Sequence, residues 1–122
     1  MQVEGITWHA LTLDPGAHEA TKTLVTETFG VPVAMEMGGA VVFMFPNGSI
    51  LELYTPDSTP DYGYNGNVAF GFRVDDIDAA SVAVAAAGGE LLGDIIRVPE
   101  MKYAYRHFKG PDGIVYGLNE QK

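Results

Sequence analysis

The sequence predicts an α+β fold built from two βαβββ modules, and three observations carry that prediction. Residues 6–14 and 67–75 are strand-like runs of matching pattern, each closed by an aspartate, Asp14 and Asp75. A helical stretch follows each run and stops at glycine, Gly30 in one half and Gly88-Gly89 in the other. Each half then returns to three strands. The last two of them are joined by a turn of the same make, Pro46-Asn47-Gly48 or Pro111-Asp112-Gly113.

Taken in order, the first helix is expected over residues 17–29, with Ala17, Ala20, Leu24, Val25 and Phe29 on its buried face. His18 then points to solvent. Strands over 31–37, 40–45 and 49–55 complete the first module, with Met35 and Met37 read as core filling. Residues 56–66, rich in Pro, Gly, Asp and Ser, read as a linker. The second helix covers 77–87, started by Asp75 or Asp76 and burying Ile77, Ala80, Val84 and Ala87. Strands over 90–96, 103–109 and 114–119 follow. The chain is thus expected to be one domain, with modules 1–55 and 67–122.

Composition excludes several functions. With no cysteine there is no disulfide, zinc-thiolate site or cysteine nucleophile. A net charge of −9 leaves too little positive field to hold a nucleic-acid backbone. The acidity is uneven: through Asp61 the one basic residue, Lys22, faces eight acids, whereas six basic residues face eight acids thereafter. Arg73 and Arg106 are the expected anion contacts in that second half. No apolar run approaches the ~20 residues of a membrane span, and no signal-peptide pattern opens the chain, so a cytoplasmic protein is expected.

No phosphate loop, nucleophile elbow or His-Glu-x-x-His motif is present. The Asp75-Asp76-Ile77-Asp78 helix start, the Ala87-Gly88-Gly89 helix end and the late Gly110-Pro111-Asp112-Gly113 turn instead resemble the vicinal oxygen chelate superfamily. That group includes glyoxalase I, extradiol dioxygenases and bleomycin-binding proteins. The resemblance implies a glyoxalase-like fold, a cup-shaped mixed β-sheet with helices outside and a ligand site within. It also implies a homodimer. Because the group mixes enzymes with pure binders, the fold alone does not assign activity.

The resemblance further implies up to four metal ligands, a His on the first strand and a Glu on the last strand of each module. Glu52, four residues after Gly48, matches one of them, and alternation puts it with Ile50 and Tyr54 opposite Leu51 and Leu53. It can ligate a metal or pair with an arginine or tyrosine. Gly117 stands where the second glutamate belongs, and Ala69 where the second histidine belongs. His9 is open between two readings. Its parity with Leu11 and Leu13 turns it toward the helix and gives the cup to Trp8, while a bulge would bring it inside.

With two ligand positions lost, no cofactor is expected as first choice, and a divalent metal on His9 and Glu52, joined by His107, is the alternative. Ala69, Gly71 and Gly117 are expected to leave room. Around it the sequence sets Trp8, Phe43 or Phe45, Tyr54, Tyr103, Tyr105 and His107, a lining suited to a planar organic ligand. Arg73 either reaches Glu52 or an anionic ligand or extends to the rim. Catalytic candidates are Glu52 and His107. The expected function is small-molecule binding without a complete metal site. The alternative is a lyase, isomerase or dioxygenase-like enzyme with a reduced His/Glu centre.

Overall fold

A computed structural model of the protein describes residues 1–64 and 66–122; Asn65, within the predicted linker, lies outside the described residues. The strands are β1 (Val3–Thr12), β2 (Met35–Met37), β3 (Ala40–Met44), β4 (Ile50–Tyr54), β5 (Val68–Val74), β6 (Glu90–Val98), β7 (Tyr103–Lys109) and β8 (Val115–Gln121). The helices are α1 (Pro15–Thr23), which runs into one π turn at Leu24–Thr28, and α2 (Ile77–Ala86). Two units form, one of residues 1–8 with 70–122 and the other of residues 9–69, so β1 contributes to both.

In the first unit the strand order is β1-β5-β8-β7-β6. β5 and β8 run parallel, with Gly71 opposite Gly117 and Arg73 opposite Asn119. β7 pairs antiparallel with β8 and with β6, and the β6 register shifts between Leu92 and Ile96. α2 starts at Asp76, whose carboxylate accepts from the Ala79 amide at 3.0 Å. Its Ile77 and Ala80 pack with Val74, Ala104, Phe108 and Leu118 into one core, joined by Phe72, Leu91 and Tyr116. Alternation then commits Gly71, Arg73, Tyr103, Tyr105, His107, Gly117 and Asn119 to the face away from α2.

In the second unit the order is β2-β3-β4-β1. Asp14 caps α1 by accepting from the Ala17 amide at 2.9 Å, and Pro15 occupies the first helical turn, where no donor is lost. Val25, Val41, Phe43 and Leu53 form the core, with Leu11, Leu13, Val31 and Val33 against it. The two expected turns close the same way. Gly48 and Gly113 take positive φ angles of 85° and 81°, while Asn47 and Asp112 accept from the amides two residues on.

Three expectations are corrected here. His18 is not solvent-facing: it is 6% exposed, with Nε2 3.3 Å from the Leu53 carbonyl. The buried stripe of α1 runs through His18 and Val25, one position on from the one expected, so Ala20, Leu24 and Phe29 are exposed, the last two at 44% and 65%. Met35 and Met37 are exposed on a three-residue strand and fill no core.

Candidate functional site

The most connected set of functional side chains lies on the α2-distal face of the first unit. Tyr103, Tyr105 and His107 alternate along β7 and stand side by side, with ring centroids 5.8 Å and 6.0 Å apart. The Trp8 indole continues the row at 5.2 Å from His107. Trp8 and His107 are buried, while the two tyrosines are half-buried. Burial alone pushes the His107 pKa down to about 4, so its ring is neutral near pH 7.

Gly71 and Gly117 do not leave the room expected of them. A Cβ on Gly117 would lie 2.8 Å from Trp8 Cε3, and one on Gly71 would lie 2.6 Å from the Gly117 carbonyl oxygen. The space that a glutamate side chain would take is occupied by the indole, which packs against the glycine. Trp8 is thus the floor of the face, and the tyrosines are its accessible rings.

The expected anion contacts are both engaged. Arg73 Nε is 3.4 Å from a Glu4 carboxylate oxygen, with about a quarter of the arginine side chain still exposed. Arg106 has the parity of Ala104 and Phe108, and its guanidinium donates to the Gly93 carbonyl at the β6 bulge. A groove of about 320 Å³ beside Tyr103 carries three cations, of which Arg97 pairs with Asp78 at 2.8 Å and Lys122 with Glu120 at 3.8 Å, while Lys102 makes no ion pair among the described residues.

In the second unit Glu52 lies opposite Val42, on the face that also carries Ile50 and Tyr54. The Tyr54 hydroxyl donates to Glu52 at 2.6 Å, and its ring meets Tyr64 edge-on at 5.5 Å. Burial, together with the Glu52 carboxylate, holds the Tyr54 hydroxyl well above the usual tyrosine range. Glu52 therefore takes the tyrosine partner foreseen as one of its two readings. Phe43 is placed elsewhere: it is wholly buried with Val25, Val41 and Leu53, beneath α1's core. The Phe45 alternative packs against the same core.

The metal question can be put to the donors themselves. His9 Nδ1 lies 3.2 Å from the Ile50 carbonyl, and its strand neighbours Leu11 and Leu13 pack on the core, so the parity reading holds. Among the described residues no three His, Asp or Glu side chains converge in a group that could hold a metal ion. The donor set does not fit the family's metal centre.

Comparison with known proteins accounts for the duplicated pattern. The sequence model of the Glyoxalase/Bleomycin resistance protein/Dioxygenase superfamily matches residues 8–117. The chain belongs to that superfamily. A glyoxalase/bleomycin resistance protein/dioxygenase superfamily member from Vibrio splendidus is 14% identical, with 98% of this chain and 100% of that chain covered and a TM-score of 0.59. A Streptomyces coelicolor methylmalonyl-CoA epimerase variant in complex with 2-nitronate-propionyl-CoA is 19% identical over 98% of this chain and 96% of that one, with a TM-score of 0.67. The Mycobacterium tuberculosis methylmalonyl-CoA epimerase is 15% identical over 98% and 89%, with a TM-score of 0.66. No curated protein sequence matches the chain. The shared fold is the glyoxalase-like α+β fold of paired βαβββ modules.

Residue roles missed in the sequence are instructive. Asn119 is 1% exposed on the same face as Tyr105, yet neither amide atom has a hydrogen-bond partner among the described residues. Its parity with Gly117 was the available signal. Glu4 as the partner of Arg73, and Tyr64 beside Tyr54, had no sequence signal, because both depend on chain segments brought together by folding.

Proposed function

We propose that this superfamily member is a small-molecule-binding protein that holds a planar organic ligand against the aromatic face of the first unit, without a complete metal site. The observation that supports this reading most is the unbroken row Trp8–His107–Tyr105–Tyr103, in which each ring stands within 6.0 Å of the next. Tyr103 and Tyr105 supply the stacking surface, and neutral His107 supplies a polar edge without charge. The second unit carries its own candidate for polar contact, the Tyr54–Glu52 pair. Arg73, already opposed by Glu4, contributes at the rim. Phosphate-rich ligands such as the acyl-CoA of the epimerase complex are disfavoured by a net charge of −9 and by the pairing of Arg73, Arg97 and Lys122. A homodimer is proposed with it, to be checked by light scattering.

The test is a thermal-shift and fluorescence screen of small aromatic compounds, read on Trp8, the single tryptophan. A binder should change Trp8 emission, and Tyr105→Ala should weaken it about tenfold or more, the scale of one lost stacking partner. Tight stoichiometric binding of a divalent metal, abolished by Glu52→Ala, would overturn the reading in favour of the metal-dependent alternative.

A further inference from the structure

Resting on that reading, the polar anchor of the site can be named. On the face away from α2, Asn119 of β8 sits directly between Tyr105 of β7 and Arg73 of β5. Two residues on, Gln121 sits opposite Tyr103. Leu118, of opposite parity, points into the α2 core. Asn119 is 1% exposed, and both its Oδ1 and its Nδ2 are buried with no hydrogen-bond partner among the described residues; Gln121 Oε1 is in the same condition. A side-chain amide can give two hydrogen bonds and accept two, and leaving all of them unmade in the interior opposes folding. A leucine of similar volume would avoid that cost at this position.

We propose that Asn119 is the specificity-determining contact of the site, reading a neutral planar ligand that presents an acceptor and a donor side by side, as a lactam or carboxamide does. Donor and acceptor of the Asn119 amide are adjacent, so, once a ligand displaces the side chains that cover them, they match such an edge in a paired, two-bond contact. The neighbouring tyrosine rings take the plane of the ligand. Charge favours the neutral amide over a carboxylate. Arg73 is already balanced by the Glu4 oxygen 3.4 Å from its Nε, and His107 beside Tyr105 is uncharged near pH 7. An amide site paired in this way rejects an isostere that lacks the polar edge, because the buried Asn119 groups then stay unpaired.

The experiment compares carbostyril (a bicyclic lactam), naphthalene (the same outline without the amide) and quinaldate (a bicyclic carboxylate) on wild type and Asn119→Leu, by calorimetry and thermal unfolding. Wild type should prefer carbostyril over both by about tenfold to a hundredfold. Asn119→Leu should lose that preference, keep its naphthalene affinity, and unfold at the wild-type temperature or above. The side-chain amide signals of Asn119 in wild-type protein should move on adding carbostyril and stay fixed with naphthalene, which reports the contact without any variant. Naphthalene binding with no lactam preference overturns the role of Asn119 and leaves the aromatic site standing. A preference for quinaldate overturns the choice of a neutral ligand. A less stable Asn119→Leu with unchanged carbostyril affinity makes Asn119 a structural amide and overturns the proposal. Failure of all three compounds to bind wild type overturns the proposal and the aromatic site together.

Discussion

At His107 burial removes the water that would solvate an imidazolium, and the ring stays neutral down to about pH 4. In the unfolded chain the same histidine titrates near 6.5. Between these values the unfolded state binds more protons than the folded one, so stability from this group is complete above about pH 6.5 and is lost as the pH falls toward 4. The shift corresponds to about 3 kcal/mol. Urea unfolding at several pH values should therefore show a slope across that window that is shallower in His107→Gln; equal slopes would remove burial of His107 as its source. The glycines beside it make a second residue-scale prediction. Gly117→Ala drives a methyl into the Trp8 ring, and Gly71→Ala drives one into the Gly117 backbone. An indole can tilt and a strand backbone cannot, so both should lower stability by about 1–3 kcal/mol or more, Gly71→Ala by the larger amount. Restoring the family's acid by Gly117→Glu is expected to unseat Trp8 rather than to create a metal site. Sequence parity was enough to place Trp8 and the β7 rings on one face, since alternation is a local property. It could not show that Trp8 fills the Gly117 gap, because that contact joins residues more than a hundred positions apart.

At the level of elements, the features legible in the sequence were those set by neighbours in the chain. Asp14 and Asp76 cap α1 and α2, and the Asn47-Gly48 and Asp112-Gly113 turns close their hairpins. Those signals depend on a few consecutive residues. Removing one cap should cost the cap hydrogen bond alone: Asp76→Ala is expected to lower stability by about 1 kcal/mol and Asp76→Asn to recover most of it, as read by urea unfolding. A loss common to both variants would assign the effect to charge. The illegible features were those decided by packing at a distance. α1 buries the stripe through His18 and Val25, with His18 turned in to the Leu53 carbonyl and Leu24 and Phe29 left outside. β6 runs on to Val98 past a bulge where Arg106 reaches the Gly93 carbonyl, a detail with no periodic signature.

For the molecule as a whole, charge acts over longer distances than any one contact. The net charge of −9 sets a repulsive background for an incoming anion, and two of the cations on the first unit are already paired, Arg73 with Glu4 and Arg97 with Asp78. Repulsion of this kind is screened by salt, with a Debye length that shortens from about 30 Å at 0.01 M to about 3 Å at 1 M. A neutral aromatic ligand feels none of it. The affinity of carbostyril should thus be nearly flat between about 0.02 M and 0.5 M salt, whereas that of quinaldate should rise with salt and narrow the gap between the two. Calorimetric titrations at matched pH measure both slopes. A quinaldate affinity that falls with added salt would mean that an unscreened cation meets the ligand. The acidity of the chain would then describe its solubility and not its choice of ligand.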